Sequence, residues 1–531
     1  MKTRREFLVS AAALAASARL HAASKFSQLH TPTAPGAPTV SAKLAVGAHH
    51  GLTIPANFSG LSYETQQLSN PKFFAASNQQ LIAQFRALSP HGVLRLGGNT
   101  SDFGWWQPTP DTTMPPRPAH TDTNGQPRTD LAYPITPEAI HNLRKFLDET
   151  GWTCIYGLNL GTGVPALAAE EAAYVAATLG PRLEYFQIGN EADLFGHRLR
   201  PNVDWSPDIF FAEWLPYATT VAAKVPGVKF GAPDVGGHTS WCVSFASHYA
   251  AAHNPPTVVA LTHHHYHGGP PSNPKMTIDS ILAGAANAGS VKGQAADMVA
   301  AATQLPVPYR MTEGNTCFQG GKPGVSDVFA ASLWAADYLL YLASSGYAGV
   351  NLHGGDGSMV ANSLGGHLPG EALMKNPGEA HPRPFYTPIA NINGTYTAEP
   401  VFYGMLFAQQ FAGATLLECN FDAAFTPVGA TASVQANASA YAAIRPDGKT
   451  IAAIINRDQV NDLVLHTTGM SVSSVLRLAA DSPDSRDVTF ARAVVTPTGK
   501  WDPRPESAMV AYGHNVPLRI PRASAVLLVS R

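Results

Sequence analysis

Charge is scarce in this chain. Asp, Glu, Lys and Arg make up 14% of its 531 residues and nearly cancel, leaving a formal net charge of −2. That balance gives no electrostatic case for a nucleic-acid or anionic-membrane partner. Cysteine is almost absent as well. Cys154, Cys242, Cys317 and Cys419 lie far apart and form no CxxC pair. Four such residues permit several disulfide pairings, and free buried thiols are the simpler reading. Beyond the N-terminal segment, no apolar run is long enough to cross a bilayer. Internal repeats and blocks of like charge are lacking too.

What is present is a globular composition, 45% apolar and rich in Gly and Pro. The length accommodates one barrel of ordinary size and a second domain. At the N-terminus, Arg4-Arg5 directly precedes an apolar stretch from Val9 to Leu20 and small residues at Ala22-Ala23. This pattern predicts a twin-arginine export signal over residues 1–24, and hence a periplasmic or secreted location. Residues 25–44 read as a Pro/Ser/Thr/Ala-rich linker, in which Ser41 to Val46 is a possible extra strand.

From residue 45 to 395, strand-like and helix-like stretches alternate. Strand candidates are Phe58 to Tyr63, Val93 to Leu96, Thr153 to Leu158, Leu183 to Ile188, Lys229 to Ala232, Val258 to His264, Val307 to Thr312 and Gly349 to His353. Helical patterns lie between them. Thr136-Pro137-Glu138 forms a cap and first turn ahead of a face of Ile140, Leu143, Phe146 and Leu147. The alternation predicts an α/β fold, a (β/α)8 TIM barrel. Residues 396–531 change to short alternating segments with turns such as Pro446-Asp447-Gly448, predicting a C-terminal antiparallel β-sandwich. Two long loops, 99–135 and 354–399, are expected to shape a site at the barrel rim.

Two of the strand candidates lead into glutamates. Glu191 follows the fourth, within Gly189-Asn190-Glu191, and Glu313 follows the seventh. In such barrels chemistry sits at the C-terminal rim, so both acids should face one mouth. A pair of carboxyl groups is what acetal hydrolysis requires, one to protonate the leaving oxygen and one to attack or stabilise the anomeric carbon. Asn190, just before the acid, is placed to hydrogen-bond a sugar 2-hydroxyl. Arg95 inside the second strand needs a partner, and a catalytic carboxylate or a structural bridge between barrel layers both supply one. Asn99, after the Gly97-Gly98 pair, is expected at the mouth. In Thr262-His263-His264-His265-Tyr266-His267, alternation lets at most two imidazoles converge, and no further carboxylate or Cys pattern completes a metal site. His264 or His265 with Tyr266 is instead expected to line the pocket and orient Glu313. Trp105 and Trp106 are candidate sugar-stacking platforms or loop anchors.

With these motifs assembled, the chain resembles glycoside hydrolase family 79, the β-glucuronidase and heparanase family of retaining (β/α)8 enzymes. The likeness runs from about residue 45 to 531. It is carried by Leu94-Arg95-Leu96-Gly97-Gly98-Asn99, Gly189-Asn190-Glu191-Ala192-Asp193, Thr262 to Tyr266, and Thr312-Glu313-Gly314-Asn315 onward to Ser326-Asp327. It implies Glu191 as acid/base, Glu313 as nucleophile, and Glu64, Asn99 and Asn190 on sugar hydroxyls. It also implies that residues near Phe318, Gln319 and Gly320, with Tyr386, receive a uronate carboxylate. Here Phe318 stands where uronate-binding members tend to carry tyrosine, and Gln319 where glycine is expected.

The expectation is a retaining β-glycosidase acting on a carbohydrate substrate without cofactor or metal, foremost a β-glucuronidase releasing glucuronic acid by double displacement. Three rivals remain: a retaining exo-glycosidase on a neutral glucoside, xyloside or arabinoside; a catalytically silent carbohydrate-binding protein; and a metal hydrolase built on the His tract.

Overall fold

Eight parallel strands close into a barrel, and their order around it follows the chain. They are Ser59–Glu64, Val93–Gly97, Thr153–Leu158, Leu183–Ile188, Phe230–Val235, Val258–Gly268, Tyr309–Cys317 and Gly349–Gly354, called here the first to eighth barrel strands. The computed structural model describes residues 37–116, 131–201, 203–284, 289–427, 429–508 and 517–531. The export signal expected over residues 1–24 lies outside them.

All eight strand candidates are found, most within two residues of their expected ends. Two run on further. The sixth continues to Gly268 and the seventh to Cys317, so Glu313 sits inside its strand rather than closing it. Pairing between these two strands slips register between Met311 and Glu313. One extra residue at such a bulge re-aims the side chains beyond it.

The connecting helices form for local reasons. Thr136 accepts a hydrogen bond from the Ala139 amide, Pro137 occupies the first turn, and Gly151 ends Pro137–Thr150 in the left-handed region at φ 79. Ile140, Leu143, Phe146 and Leu147 are all buried by that helix. Their burial supplies most of its stability, since isolated helices of this length are marginal in water.

The sandwich is built on one ten-stranded sheet. Strand Thr39–Thr53 joins it from the N-terminal side, antiparallel to Thr415–Asp422 and parallel to Asp462–Thr468. One apolar face of strands Thr450–Asn456 and Ser524–Ser530 packs within the sandwich, and the other joins the barrel's own core. Asp337, on barrel helix Phe329–Ser344, accepts from Arg457 and from the Tyr441 hydroxyl of the sandwich, both at 2.9 Å. The four cysteines are unpaired, three of them buried. No helix among the described residues is long and apolar enough to cross a membrane.

Candidate active site

At the C-terminal mouth of the barrel lies a cavity of about 500 Å³ whose wall includes both Glu191 and Glu313. Each glutamate has an oxygen within 4.8 Å of the other's and of a ring nitrogen of His264. The fourth strand ends at Ile188, and the chain turns sharply so that Glu191 adopts φ 49, ψ 50. A non-glycine residue in the left-handed region is held there by its surroundings. Its amide donates to the Asp234 carbonyl at 2.9 Å.

Arg95 organises the floor. Its buried guanidinium donates to Glu313 Oε2 at 2.6 Å, to Asp234 Oδ2 at 2.6 Å and to Asn190 Oδ1 at 2.8 Å. The double glycine of the motif makes room for this. A Cβ at Gly97 would stand 2.0 Å from the Arg95 guanidinium carbon, and one at Gly98 would stand 2.4 Å from Glu64 Oε2. A charge so deeply buried persists only when paired on several sides.

The Tyr266 hydroxyl donates to Glu313 Oε1 at 2.9 Å, and His353 lies 3.6 Å from Oε2. Burial by itself would raise the Glu313 pKa, but its electrostatic interactions with His353, His264 and Arg95, with the Tyr266 hydrogen bond, hold its carboxyl well below the usual range. His264 faces Glu191 Oε1 through Nδ1 at 3.2 Å and Asp234 Oδ1 through Nε2 at 3.1 Å. Burial opposes charge on this ring, yet the Asp234 and Glu313 carboxylates and the hydrogen bonds to Asp234 and Glu191 push it up to about 10. His264 is therefore an imidazolium that donates from both nitrogens. Glu191, His264 and Glu313 have the spacing of a metal triad. Both oxygens of Glu313 are already engaged, however, Oε2 by Arg95 and Oε1 by Tyr266.

The cavity wall takes in Glu64, Asn99, Phe318, Gln319 and Tyr386 among the expected site residues. Glu64 Oε2 is held by the Thr100 amide at 2.9 Å and hydroxyl at 2.6 Å. Asn99 Oδ1 accepts from Arg198 at 2.6 Å. Tyr386 stacks obliquely on Tyr266 with ring centres 6.1 Å apart. Asn190 is buried and its carbonyl oxygen is taken by Arg95, which leaves its amide nitrogen as the atom for a sugar hydroxyl. Other expectations are corrected. Gly320 lies behind the wall, packed on Leu368. His265 reaches the wall, but its ring stacks on Tyr338 at 5.5 Å and does not orient Glu313; Tyr266 does. Trp105 and Trp106 line a separate, smaller cavity with Pro115 and Pro116. Lys322 turns away to the Asn273 carbonyl at 3.2 Å.

Sequence reading missed Asp234, His353 and the basic trio His197, Arg198 and His238. An acid at the end of the fifth strand was available as a signal, the same one that marked the two glutamates. His353 lies in the eighth strand with no neighbouring acid to mark it, and His197, Arg198 and His238 follow the fourth and fifth strands without a pattern.

No family model matches the chain. Among curated proteins it is similar to a β-glucuronidase of Aspergillus niger, 25% identical over 311 residues, which cover 54% of this chain and 55% of that protein. It is also similar to a β-glucuronidase of Neurospora crassa, 22% identical over 317 residues covering 54% of each. The chain thus spans about half the length of the curated relatives it matches. Among solved structures, a 4-O-α-L-rhamnosyl-β-D-glucuronidase from Fusarium oxysporum 12S superimposes with a TM-score of 0.67 at 17% identity, covering 92% of this chain and all of that one (100%). A family 51 arabinofuranosidase from Xanthomonas axonopodis pv. citri gives a TM-score of 0.57 at 15% identity, covering 93% and 100%. At these identities the structural likeness is one of fold.

Proposed function

We propose that this chain is a retaining β-glycosidase of the family 79 type, and that its substrate is a β-glucuronide. The observation that carries the first part is the approach of Glu191 and Glu313 to within 4.8 Å across one cavity. Retaining enzymes hold their carboxyls about 5–5.5 Å apart, whereas inverting ones leave about 6.5–9.5 Å for a water.

In this reading Glu313 is the nucleophile. Arg95 and Tyr266 fix both of its oxygens and keep it ionised. Attack on the anomeric carbon breaks the glycosidic bond while Glu191 gives its proton to the departing oxygen. His264 Nδ1 occupies Oε1 of Glu191, which leaves Oε2 to carry that proton. Glu191 then takes a proton from water, whose oxygen bonds to the anomeric carbon as the bond from that carbon to Glu313 breaks. Val360, Ser363, Leu364 and Tyr386, all from the 354–399 loop, wall one side of the cavity, which favours removal of a terminal sugar.

The glucuronide part rests on the curated relatives and the motif likeness. Phe318, 36% exposed on the wall, favours a second reading in which the sugar is neutral at C5. A panel of 4-nitrophenyl β-glycosides separates the two: glucuronide turnover is expected, and exclusive turnover of a glucoside, xyloside or arabinoside overturns it. Proton NMR of the first product tests retention, with the β-anomer expected and an α-anomer formed first fatal to the mechanism.

A further inference from the structure

Basic groups stand on both sides of the cavity. On the Glu313 side, His353 at 3.6 Å and the buried Arg95 at 2.6 Å are both engaged with that acid, and the nearby Lys322 is tied to a backbone carbonyl. On the Glu191 side stand His197, Arg198 and His238. Because Glu191 serves the departing oxygen, its side of the cavity is where the leaving group lies.

His238 is built into place. The buried Asp193 carboxylate accepts from His238 Nδ1 at 2.8 Å and from the Gly236 amide at 2.6 Å. Glycine at 236 lets this segment cross closely over the acid, since a Cβ there would stand 2.9 Å from Glu191 Cδ. With Nδ1 committed to Asp193, Nε2 is the atom left for a ligand, on a side chain 63% exposed. The hydrogen bond to Asp193 outweighs burial and raises the ring's pKa from its ordinary value, favouring a donor at Nε2. Of the acids that meet this segment, Asp193 is spent on His238, Asp297 accepts from the Thr239 hydroxyl at 2.6 Å, and Glu191 is the catalytic acid itself. Arg198 adds a guanidinium held by Asn99.

We propose that His238, positioned by Asp193, forms with Arg198 and His197 a basic leaving-group subsite that selects aglycones carrying a carboxylate. This rests on the glycosidase reading above and goes beyond it by naming the chemistry of the other half of the substrate.

The test pairs 4-nitrophenyl β-glucuronide with its 3-carboxy-4-nitrophenyl counterpart, and measures kcat/KM for both on the wild type, His238→Gln and His238→Arg. The wild type should prefer the carboxylated leaving group by about tenfold, the range of one charge-assisted hydrogen bond. The ratio should fall toward one in His238→Gln and be retained in His238→Arg. A ratio near one in the wild type, or one that His238→Gln leaves in place, overturns the proposal. Turnover of neither substrate would instead count against the glycosidase reading. In that case calorimetry with free 3-carboxy-4-nitrophenol decides the subsite: tighter binding than 4-nitrophenol, lost in His238→Gln, supports it, and equal binding sinks it.

Discussion

The amide of Glu191 donates to the carbonyl of Asp234 at 2.9 Å, and both residues stand in the left-handed backbone region, at φ 49 and φ 61. Two residues in an unfavourable conformation thus brace each other, at a cost of about 1–3 kcal/mol each that the surroundings must offset. The Asp234 side chain does the offsetting. Sealed from solvent, it accepts from Arg95, Thr312 and Gln187 and faces the His264 imidazolium.

Asp234→Asn should therefore damage stability and turnover together. It removes the charge that balances Arg95 and His264, and uncompensated buried charge costs about 3–5 kcal/mol. Urea denaturation should show a loss of that order, and kcat on an aryl glycoside should fall on the order of 10²-fold as Glu191 and Glu313 lose their setting. Stability and activity both within experimental error of the wild type would show that Asp234 is a bystander.

The two glutamates should fail differently. Glu313→Gln removes the attacking oxygen anion and should abolish turnover of an activated aryl glycoside. Glu191→Ala removes the proton donor, which a good leaving group needs least. Its deglycosylation should be partly rescued by azide, giving a β-glycosyl azide detectable by mass spectrometry. Rescue of the Glu313 variant in place of the Glu191 variant would reverse the two roles.

Much of this site was legible because strand ends in a barrel point at one mouth, so an acid after each of two apolar strands implied the pair. Arg95 was legible as a charge in need of a partner. The His tract was not, because three consecutive imidazoles give no polar–apolar alternation from which to read which face each takes. The structure pairs His263 with Tyr347, His264 with the acids, and His265 with Tyr338 at the edge of the cavity. Asp234 was hidden because the expected strand stopped at Ala232, whereas the strand runs on to Val235. Asn190 read as a hydroxyl ligand from its neighbour Glu191. A side chain directly before a sharp left-handed turn points back into the floor, where Arg95 meets its carbonyl oxygen and leaves the amide nitrogen for that hydroxyl.

The protonation of His264 predicts how stability depends on pH. The folded ring keeps its proton up to about 10, while a free imidazole loses it near pH 6.5. A raised folded value means that its stabilisation is complete below the free value and disappears as pH climbs toward the folded one. The melting midpoint should therefore fall between about pH 6.5 and 10. His264→Gln should lower the midpoint at pH 6 and flatten this decline. Glu313, displaced downward, acts at the other end: its contribution is present at neutral pH and is lost only in strong acid. Parallel wild-type and His264→Gln profiles between pH 6.5 and 10 would refute the buried imidazolium.

Phe318 gives the sharpest handle on the sugar. Its ring stands 6.4 Å from Tyr266 on the wall where the resemblance puts the uronate carboxylate, and Lys322 does not reach in to supply charge. A hydroxyl at this position would add a hydrogen bond to a carboxylate worth about 1.5–3 kcal/mol, and it would do nothing comparable for a neutral C5 substituent. Phe318→Tyr should thus raise kcat/KM for the glucuronide over the matching glucoside by at least about tenfold relative to the wild-type ratio. If the ratio stays fixed while both substrates are turned over, the carboxylate is not held beside residue 318. The recognition of C5 must then lie elsewhere on the wall, with the backbone amide of Gln319 or the Tyr386 hydroxyl the next positions to test.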